Sequence, residues 1–385
     1  MVHAMIGIFG TGRNGSTLLM RLIDGSPDLW VHPVEMNYLS VFSDLMKYGR
    51  VRKQTAYNAT TQKPLLLDGT LSIERLLQFY EFHIQMIEQE YRAILLGGTL
   101  SVPNPLGTMR RSTRYSPRQF LPPFLECTQK AYDDRGRSPK LYAFKTIETP
   151  YIEEYERIFP EMRFIHIIRN PLANYSSLKR TNMVKKSWPF WQHGGDEMRM
   201  FLEKRWLPHA RFLVNEGLSK DSKHFLIRYE DLVANPTEII SNLFSWLGIV
   251  PPSDPTHLTV LGGKEIADTT SNPSGIGVSM PSRVVADMAA KFDYKDVLPF
   301  REKEFILYRT YRLATELDCP FEEEQARFPN RLNLATKWLL PDHWELVNVY
   351  SNSGVLHRVY RTILHLKALV ERRLYIYRKL LFPFA

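Results

Sequence analysis

One stretch constrains the fold of this chain more than any other: Ile6-Gly7-Ile8-Phe9-Gly10-Thr11-Gly12-Arg13-Asn14-Gly15-Ser16-Thr17-Leu18-Leu19. Met5 to Phe9 is apolar and short, as a buried strand is. Ser16 to Asp24 carries Leu18, Leu19, Leu22 and Ile23 at helical spacing and stops at Gly25-Ser26-Pro27. Between them, Gly10, Gly12 and Gly15 permit tight turning and let backbone N–H groups approach an anion, with the partial positive end of the helix behind them. Strand, glycine loop and helix in that order open an α/β unit. The frame G-x-x-x-x-G-K-[ST] can be laid over Gly10 to Thr17, but Ser16 stands in the lysine position and the nearest cation, Arg13, comes three places early. Without that lysine ATP hydrolysis is disfavoured, while Arg13, Ser16 and Thr17 can still donate to phosphate or sulfate oxygens.

The rest of the chain continues the pattern. Strands are predicted at Leu141–Thr146, Arg163–Ile168 and His224–Tyr229, with helical segments between them; Asn170-Pro171 and Asn235-Pro236-Thr237 are helix starts. Strands alternating with helices predict an α/β fold with a central parallel sheet flanked by helices on both faces. A long helix is expected over 72–96, a Pro/Gly/Ser/Arg-rich loop over 97–123, and a Gly/Ser/Pro-rich loop over 262–285. A single α/β domain is expected over 1–330, followed by a basic helical extension over 331–385.

Charge and cysteine content narrow the setting. A net charge of +9 suits anionic partners such as a nucleotide, an acidic glycan or a membrane surface, and equally serves solubility. Cys127 and Cys319 form neither a metal motif nor a disulfide framework, which favours a reducing compartment. The strand beginning near residue 5 is read as leaving no room for a cleavable signal, and no long uncharged apolar run is found. The expected location is cytoplasmic, with no nucleic-acid partner.

A second motif decides what the first loop binds. Phe164-Ile165-His166-Ile167-Ile168-Arg169-Asn170-Pro171-Leu172-Ala173-Asn174-Tyr175-Ser176-Ser177 places Arg169 at the carboxyl end of a strand, where ligands of open α/β sheets sit. Together with Arg13-Asn14-Gly15-Ser16-Thr17-Leu18-Leu19, it resembles the sulfotransferases that use 3′-phosphoadenosine 5′-phosphosulfate (PAPS). The resemblance implies a P-loop nucleoside-triphosphate-hydrolase-like fold and PAPS as donor, with no metal. Arg13 and the backbone of Asn14, Gly15, Ser16 and Thr17 would hold the 5′-phosphosulfate. Arg169 and Ser177, with Ser176 as a weaker substitute, would hold the 3′-phosphate. The arginine form of the loop is similar to the carbohydrate and tyrosylprotein branches, whereas the cytosolic phenol and steroid branch prefers lysine.

Three further residues enter by the same resemblance. Tyr229, in Arg228-Tyr229-Glu230-Asp231, is similar to a tyrosine that lies against the adenine, with a satisfied core tyrosine nearly as good a reading. Lys145, in Phe144-Lys145-Thr146, resembles the lysine that contacts the transferred group, but the histidine expected two residues later is Ile147. Glu35, in Trp30-Val31-His32-Pro33-Val34-Glu35, is therefore the candidate base, with His32 and Glu148 competing; Glu148 alternatively neutralises Lys145. For the acceptor, Arg110, Arg111, Arg114 and Arg118 form a basic patch that is equally a solvated loop face, and Arg283 is a weak candidate in a late loop.

The tail aligns Leu356, Val359, Ile363, Val370, Leu374 and Leu381 near one helical face among many cations. Packing against the chain's own domain or a partner is favoured there over an anionic membrane. The sequence reading is a sulfotransferase acting on a hydroxyl or amine of a glycan, lipid, protein or small alcohol, with a carbohydrate-type acceptor favoured and 3′,5′-ADP released. Its rivals are a P-loop kinase-like phosphotransferase and a non-enzymatic nucleotide-binding peripheral membrane protein.

Overall fold

The computed structural model describes residues 4–48, 69–91, 114–133, 136, 138–184, 197–217, 223–265, 298–319 and 370–381. The chain forms two compact units, 1–169 with 211–291, and 170–210 with 292–385.

The elements in chain order begin with β1 (Ala4–Gly10), α1 (Ser16–Ile23), β2 (Leu29–Glu35), α2 (Tyr38–Tyr48), β3 (Leu71–Ser72), α3 (Ile73–Glu90), β4 (Arg114–Tyr115) and α4 (Pro117–Tyr132). There follow β5 (Leu141–Thr146), α5 (Ile152–Ile158), β6 (Arg163–Ile168) and α6 (Pro171–Val184), the last in the second unit. The first unit resumes with β7 (His224–Arg228), α7 (Tyr229–Ala234), α8 (Pro236–Leu247), β8 (Thr259–Val260) and β9 (Lys264–Glu265).

Five strands form one parallel sheet in the order β2-β5-β1-β6-β7. This is the α/β architecture of the P-loop type, with helices covering the sheet. Alternation sends Ile6, Ile8, Ile165, Ile167 and Ile227 to one face, against Leu18, Leu19 and Leu22 of α1 and Leu243 and Phe244 of α8. The other face carries an aromatic layer: Phe9 meets Tyr155, Phe164 and His166 at ring-centroid distances of 5.1, 5.6 and 6.0 Å. Both faces are therefore buried, which is why these strands read as apolar runs.

From β1 the chain crosses to β2 on one side of the sheet, whereas β7 lies beyond β6 on the other. The direction of connection thus reverses between β1 and β6, and a crevice opens there at the strands' carboxyl ends. The glycine loop and Arg169 flank it.

The loop expected over 97–123 is corrected for its described part, because residues 114–115 form β4 and α4 starts at Pro117. Ser116 caps α4 in a reciprocal capping box with Gln119, and Pro117 takes the first helical position. Pro122 and Pro123 each remove a helix bond, but Phe120, Leu121, Phe124 and Leu125 are fully buried and offset the loss. Residues 97–113 and most of the 262–285 loop, Arg283 included, lie outside the described residues; 262–263 form the turn into β9. The expected boundary near residue 330 also falls outside them.

In the second unit, α6 starts as expected. Asn170 Oδ1 accepts from Leu172 N at 2.9 Å and Ala173 N at 3.2 Å, and Pro171 follows. This unit also contains α9 (Phe300–Glu316) and the tail helix α10 (370–381). Both cysteines are buried and free, and no helix among the described residues is long and apolar enough to cross a membrane.

Candidate functional site

The loop after β1 needs three departures from ordinary backbone within four residues. Gly12, Arg13 and Gly15 all have positive φ, at 75°, 57° and 95°. At Arg13 this is strained for a side chain-bearing residue, a feature that clusters at functional sites. The strain is held by Asn14, which is completely buried and donates through Nδ2 to Ile167 O of β6 at 2.5 Å. Gly10 makes room for that amide, since a Cβ there would fall 2.4 Å from Asn14 Nδ2. The Asn14 side chain thus staples the loop to the neighbouring strand. The N-cap residue Gly15 has no side chain to cap α1, and Asn14 Oδ1 accepts from Ser16 N at 3.4 Å, which holds the helix start against the loop.

Arg169 follows β6 and is 5% exposed. Its Nη1 donates to Arg13 O at 3.2 Å, and its guanidinium lies 4.2 Å from the centroid of the Tyr229 ring. The Cδ2–Cε2 edge of that ring packs on Gly15, where a Cβ would stand 2.2 Å from Tyr229 Cδ2. Tyr229 is therefore a floor beneath both the loop and the arginine. Burial raises its hydroxyl above the usual tyrosine range, against the pull of Arg169 and Arg13. Burial, and then the like charge of Arg169, lowers Arg13. Two half-desolvated guanidinium groups held together favour an anion between or beside them.

Lys145 completes the cationic side. It sits on β5 directly opposite Ile8 of β1 and Glu35 of β2. Its Nζ donates to Thr17 Oγ1 at 2.8 Å and pairs with Glu35 Oε2 at 3.1 Å. Glu35 Oε1 accepts from Asn37 Nδ2 at 3.3 Å. Asn37 is itself anchored, because its Oδ1 accepts from Thr146 Oγ1 at 3.3 Å and Ile147 N at 3.4 Å. The structure thus brings Arg13, Thr17, Glu35, Lys145, Arg169 and Tyr229 together at the carboxyl ends of β1, β2, β5 and β6. Ser176 and Ser177 lie buried on α6 in the second unit.

The competing bases are engaged elsewhere. His32 is fully buried beside His83 and Phe124, its Nδ1 lies 3.0 Å from Val34 O, and burial lowers it to about 4. Glu148 does not pair with Lys145. It receives Leu39 N at 3.2 Å and Ser40 N at 2.7 Å, capping α2, and accepts from the Tyr155 hydroxyl. Burial raises its carboxyl.

Glu90 was missed in the sequence. It ends α3 beside Tyr91, whose hydroxyl donates to Pro33 O at 2.8 Å and so ties this helix end to β2. Burial raises the Glu90 carboxyl; Lys145 and Arg21 pull it down, and Glu35 pushes it further up. A second carboxylate thus lies within electrostatic reach of Lys145 and Glu35. Its only sequence signal is its place at the end of a helix, which names no partner. The basic patch resolves differently: Arg114 donates to Thr70 Oγ1 at 2.8 Å and Arg118 pairs with Glu161 at 3.0 Å, while Arg110 and Arg111 lie outside the described residues. A cavity of about 420 Å³ beside Asp28 and Lys140 lies at the amino ends of β2 and β5, opposite to this site.

A left-handed glycine loop at a sheet's switch point, closed by two arginines and a lysine–glutamate pair, defines an α/β protein of the phosphate-loop class built to grip an anion. A sequence model of the Sulfotransferase family matches residues 6–252, and the chain belongs to that family. It is a sulfotransferase by family. Comparison with curated protein sequences finds no match. Among solved structures, it is similar to the sulfotransferase domain from the curacin biosynthetic pathway (18% identity, 83% of this chain and 99% of that one, TM-score 0.48). It is also similar to the sulfotransferase domain of the Synechococcus PCC 7002 olefin synthase (14%, 83% and 96%, TM-score 0.46). A third is a sulfotransferase from Alicyclobacillus acidocaldarius (11%, 85% and 100%, TM-score 0.38).

Proposed function

We propose that the chain transfers a sulfuryl group from PAPS to an acceptor hydroxyl or amine, of carbohydrate type, and releases 3′,5′-ADP. The observation that carries this reading is Lys145, which bridges Thr17 of the loop and Glu35 at 2.8 and 3.1 Å. A cation placed between an anion-gripping loop and a carboxylate suits an in-line displacement, which needs positive charge on the departing oxygens and a base on the entering one. The residues fit a doubly anionic donor. Arg13 Nε is buried without a hydrogen-bond partner among the described residues, Arg13 and Arg169 adjoin, and the N-cap residue of α1 is a glycine with no capping side chain.

When bound, PAPS supplies an activated sulfuryl group. Arg13 and the N–H groups of Gly15, Ser16 and Thr17 hold its 5′-phosphosulfate, with the Asn14 side chain fixing the loop. Arg169 holds the 3′-phosphate, and Tyr229 supports Arg169. Lys145 turns from Glu35 towards the transferred group, which frees the Glu35 carboxylate to take the acceptor proton. Asn37 keeps that carboxylate oriented.

Equilibrium binding of 3′,5′-ADP against ATP tests the donor, with preference for 3′,5′-ADP expected; equal affinity or preference for ATP refutes it. PAPS turnover over an acceptor panel, with Glu35→Gln alongside, tests the base. Turnover undiminished in that variant removes Glu35 from the role.

A further inference from the structure

The tail helix α10 is amphipathic in the reverse sense. Its inner face is charged: Arg372, 1% exposed, donates to Glu302 Oε1 at 2.5 Å, and Lys179 donates to Glu302 Oε2 at 2.8 Å. Glu203 accepts from the Tyr375 hydroxyl and from Arg309, each at 2.8 Å, with Lys379 at 4.0 Å. Tyr375, Ile376 and Leu380 fill the space between these pairs and are buried.

The outer face is apolar. Val370, Leu374 and Leu381 are 56%, 64% and 69% exposed, and they are three of the six exposed large hydrophobic residues among the described residues. At about 100° per residue, all three fall within an arc of about 40°. Arg373 lies about 60° to one side of Val370 and Arg378 about 80° to the other. Rolling the helix to hide the stripe would pull Arg372 from Glu302 and leave one oxygen of that buried carboxylate without its partner, so the inner ion pairs fix the apolar stripe outward. The tail stripe, expected to pack against the chain's own domain or a partner, is exposed on this chain in its described part.

We propose that this face docks on an anionic lipid surface, with Val370, Leu374 and Leu381 entering the headgroup–acyl boundary and Arg373 and Arg378 reaching phosphates on either side. Charge complementarity selects this occupant. The chain carries a net +9, and with Arg372 and Lys379 turned inward to Glu302 and Glu203 the helix still has two cations, Arg373 and Arg378, against one acid, Glu371. A second copy laid face to face would set the flanking arginines against arginines.

Co-sedimentation of the full chain with vesicles tests the proposal. The expected result is binding to phosphatidylserine–phosphatidylcholine vesicles in preference to phosphatidylcholine alone, weakening as salt rises. Leu374→Ser with Leu381→Ser should reduce binding at least about tenfold. Arg373→Gln with Arg378→Gln should reduce it about fivefold for each charge removed. Circular dichroism should be unchanged for the leucine pair, since both side chains face outward, and it checks that the arginine pair keeps the fold. No preference for anionic vesicles overturns the proposal, as does binding that the leucine substitutions leave intact. A dimer in sedimentation velocity without vesicles, dissolved by the leucine substitutions, also overturns it by assigning the face to a second copy.

Discussion

Gly15 carries two separate demands, and Gly15→Ala should reveal both. Its φ of 95° costs an alanine about 1–2 kcal/mol of backbone strain. Its Cβ would stand 2.2 and 2.8 Å from two carbons of the Tyr229 ring. That ring cannot easily retreat, because Arg169 lies 4.2 Å from its centroid and its edges belong to the core under α1 and α8. Overpacking of this kind costs about 1–3 kcal/mol, so the total is about 2–5 kcal/mol. Gly248→Ala is the control: its φ is 69°, and nothing stands within 4 Å of the added Cβ, so only the strain of about 1–2 kcal/mol applies. Urea unfolding followed by far-ultraviolet circular dichroism measures both. Repeating Gly15→Ala in a Tyr229→Ala background should recover the packing part, giving a coupling of about 1–3 kcal/mol. Binding of 3′,5′-ADP should fall with Gly15→Ala and not with Gly248→Ala. If Gly15→Ala costs no more than Gly248→Ala, or shows no coupling to Tyr229, the ring is not the floor of the loop.

Lys145→Met should lower PAPS turnover by about 100-fold with the fold retained, because it removes a fixed charge from the reacting side of the loop; single-turnover kinetics with unchanged circular dichroism would check it. Glu90→Gln addresses the second carboxylate. Its folded value is raised, so ionised Glu90 destabilises the fold increasingly as pH climbs above the ordinary glutamate range. Glutamine should therefore gain stability over wild type at pH 8 and show little difference at pH 4, read from urea midpoints. The buried histidines have the opposite sign. His32 and His83 are lowered to about 4 and about 3, so the unfolded chain takes up protons first and stability is lost as pH falls below about 6.5. For His32 alone the loss reaches about 2 kcal/mol by pH 5. His83→Phe should flatten the slope between pH 6.5 and 5 by about one proton, and an unchanged slope would show that His83 is not buried as a neutral ring.

Much of the fold was legible because its signals are local. β5 and β6 have the boundaries read from the sequence, and β1 and β7 differ from theirs by a residue or so. Asn170-Pro171 gave a helix start whose side-chain cap is made, whereas at Asn235-Pro236 the helix starts without one. α4 was missed because its prolines and arginine resemble a loop by composition, although the Ser116–Gln119 capping box was in the sequence. Glu35 and Lys145 could each be nominated singly, but their contact depends on the β2–β5 register, which shifts between Val31 and Glu35. Period and propensity do not carry such a shift. Glu90 and Asn37 were invisible for the same reason.

The same distinction explains why the loop alone was ambiguous. A glycine loop before a helix binds anions in general, and what makes it selective is supplied by other strand ends. Asn14 illustrates this. Read in the sequence, it is one more residue of an anion loop, but its side chain turns away from the crevice to Ile167 O on β6. That bond fixes the loop to the strand that ends in Arg169, so the position of one arginine is tied to the position of the other. Tyr229, arriving from the end of β7, fills the space beneath both. A substitution at Asn14 should therefore move Arg13 and Arg169 apart without removing either charge. Asn14→Ala is expected to weaken 3′,5′-ADP binding more than it lowers the urea midpoint, and the reverse order would make Asn14 a residue of the fold alone.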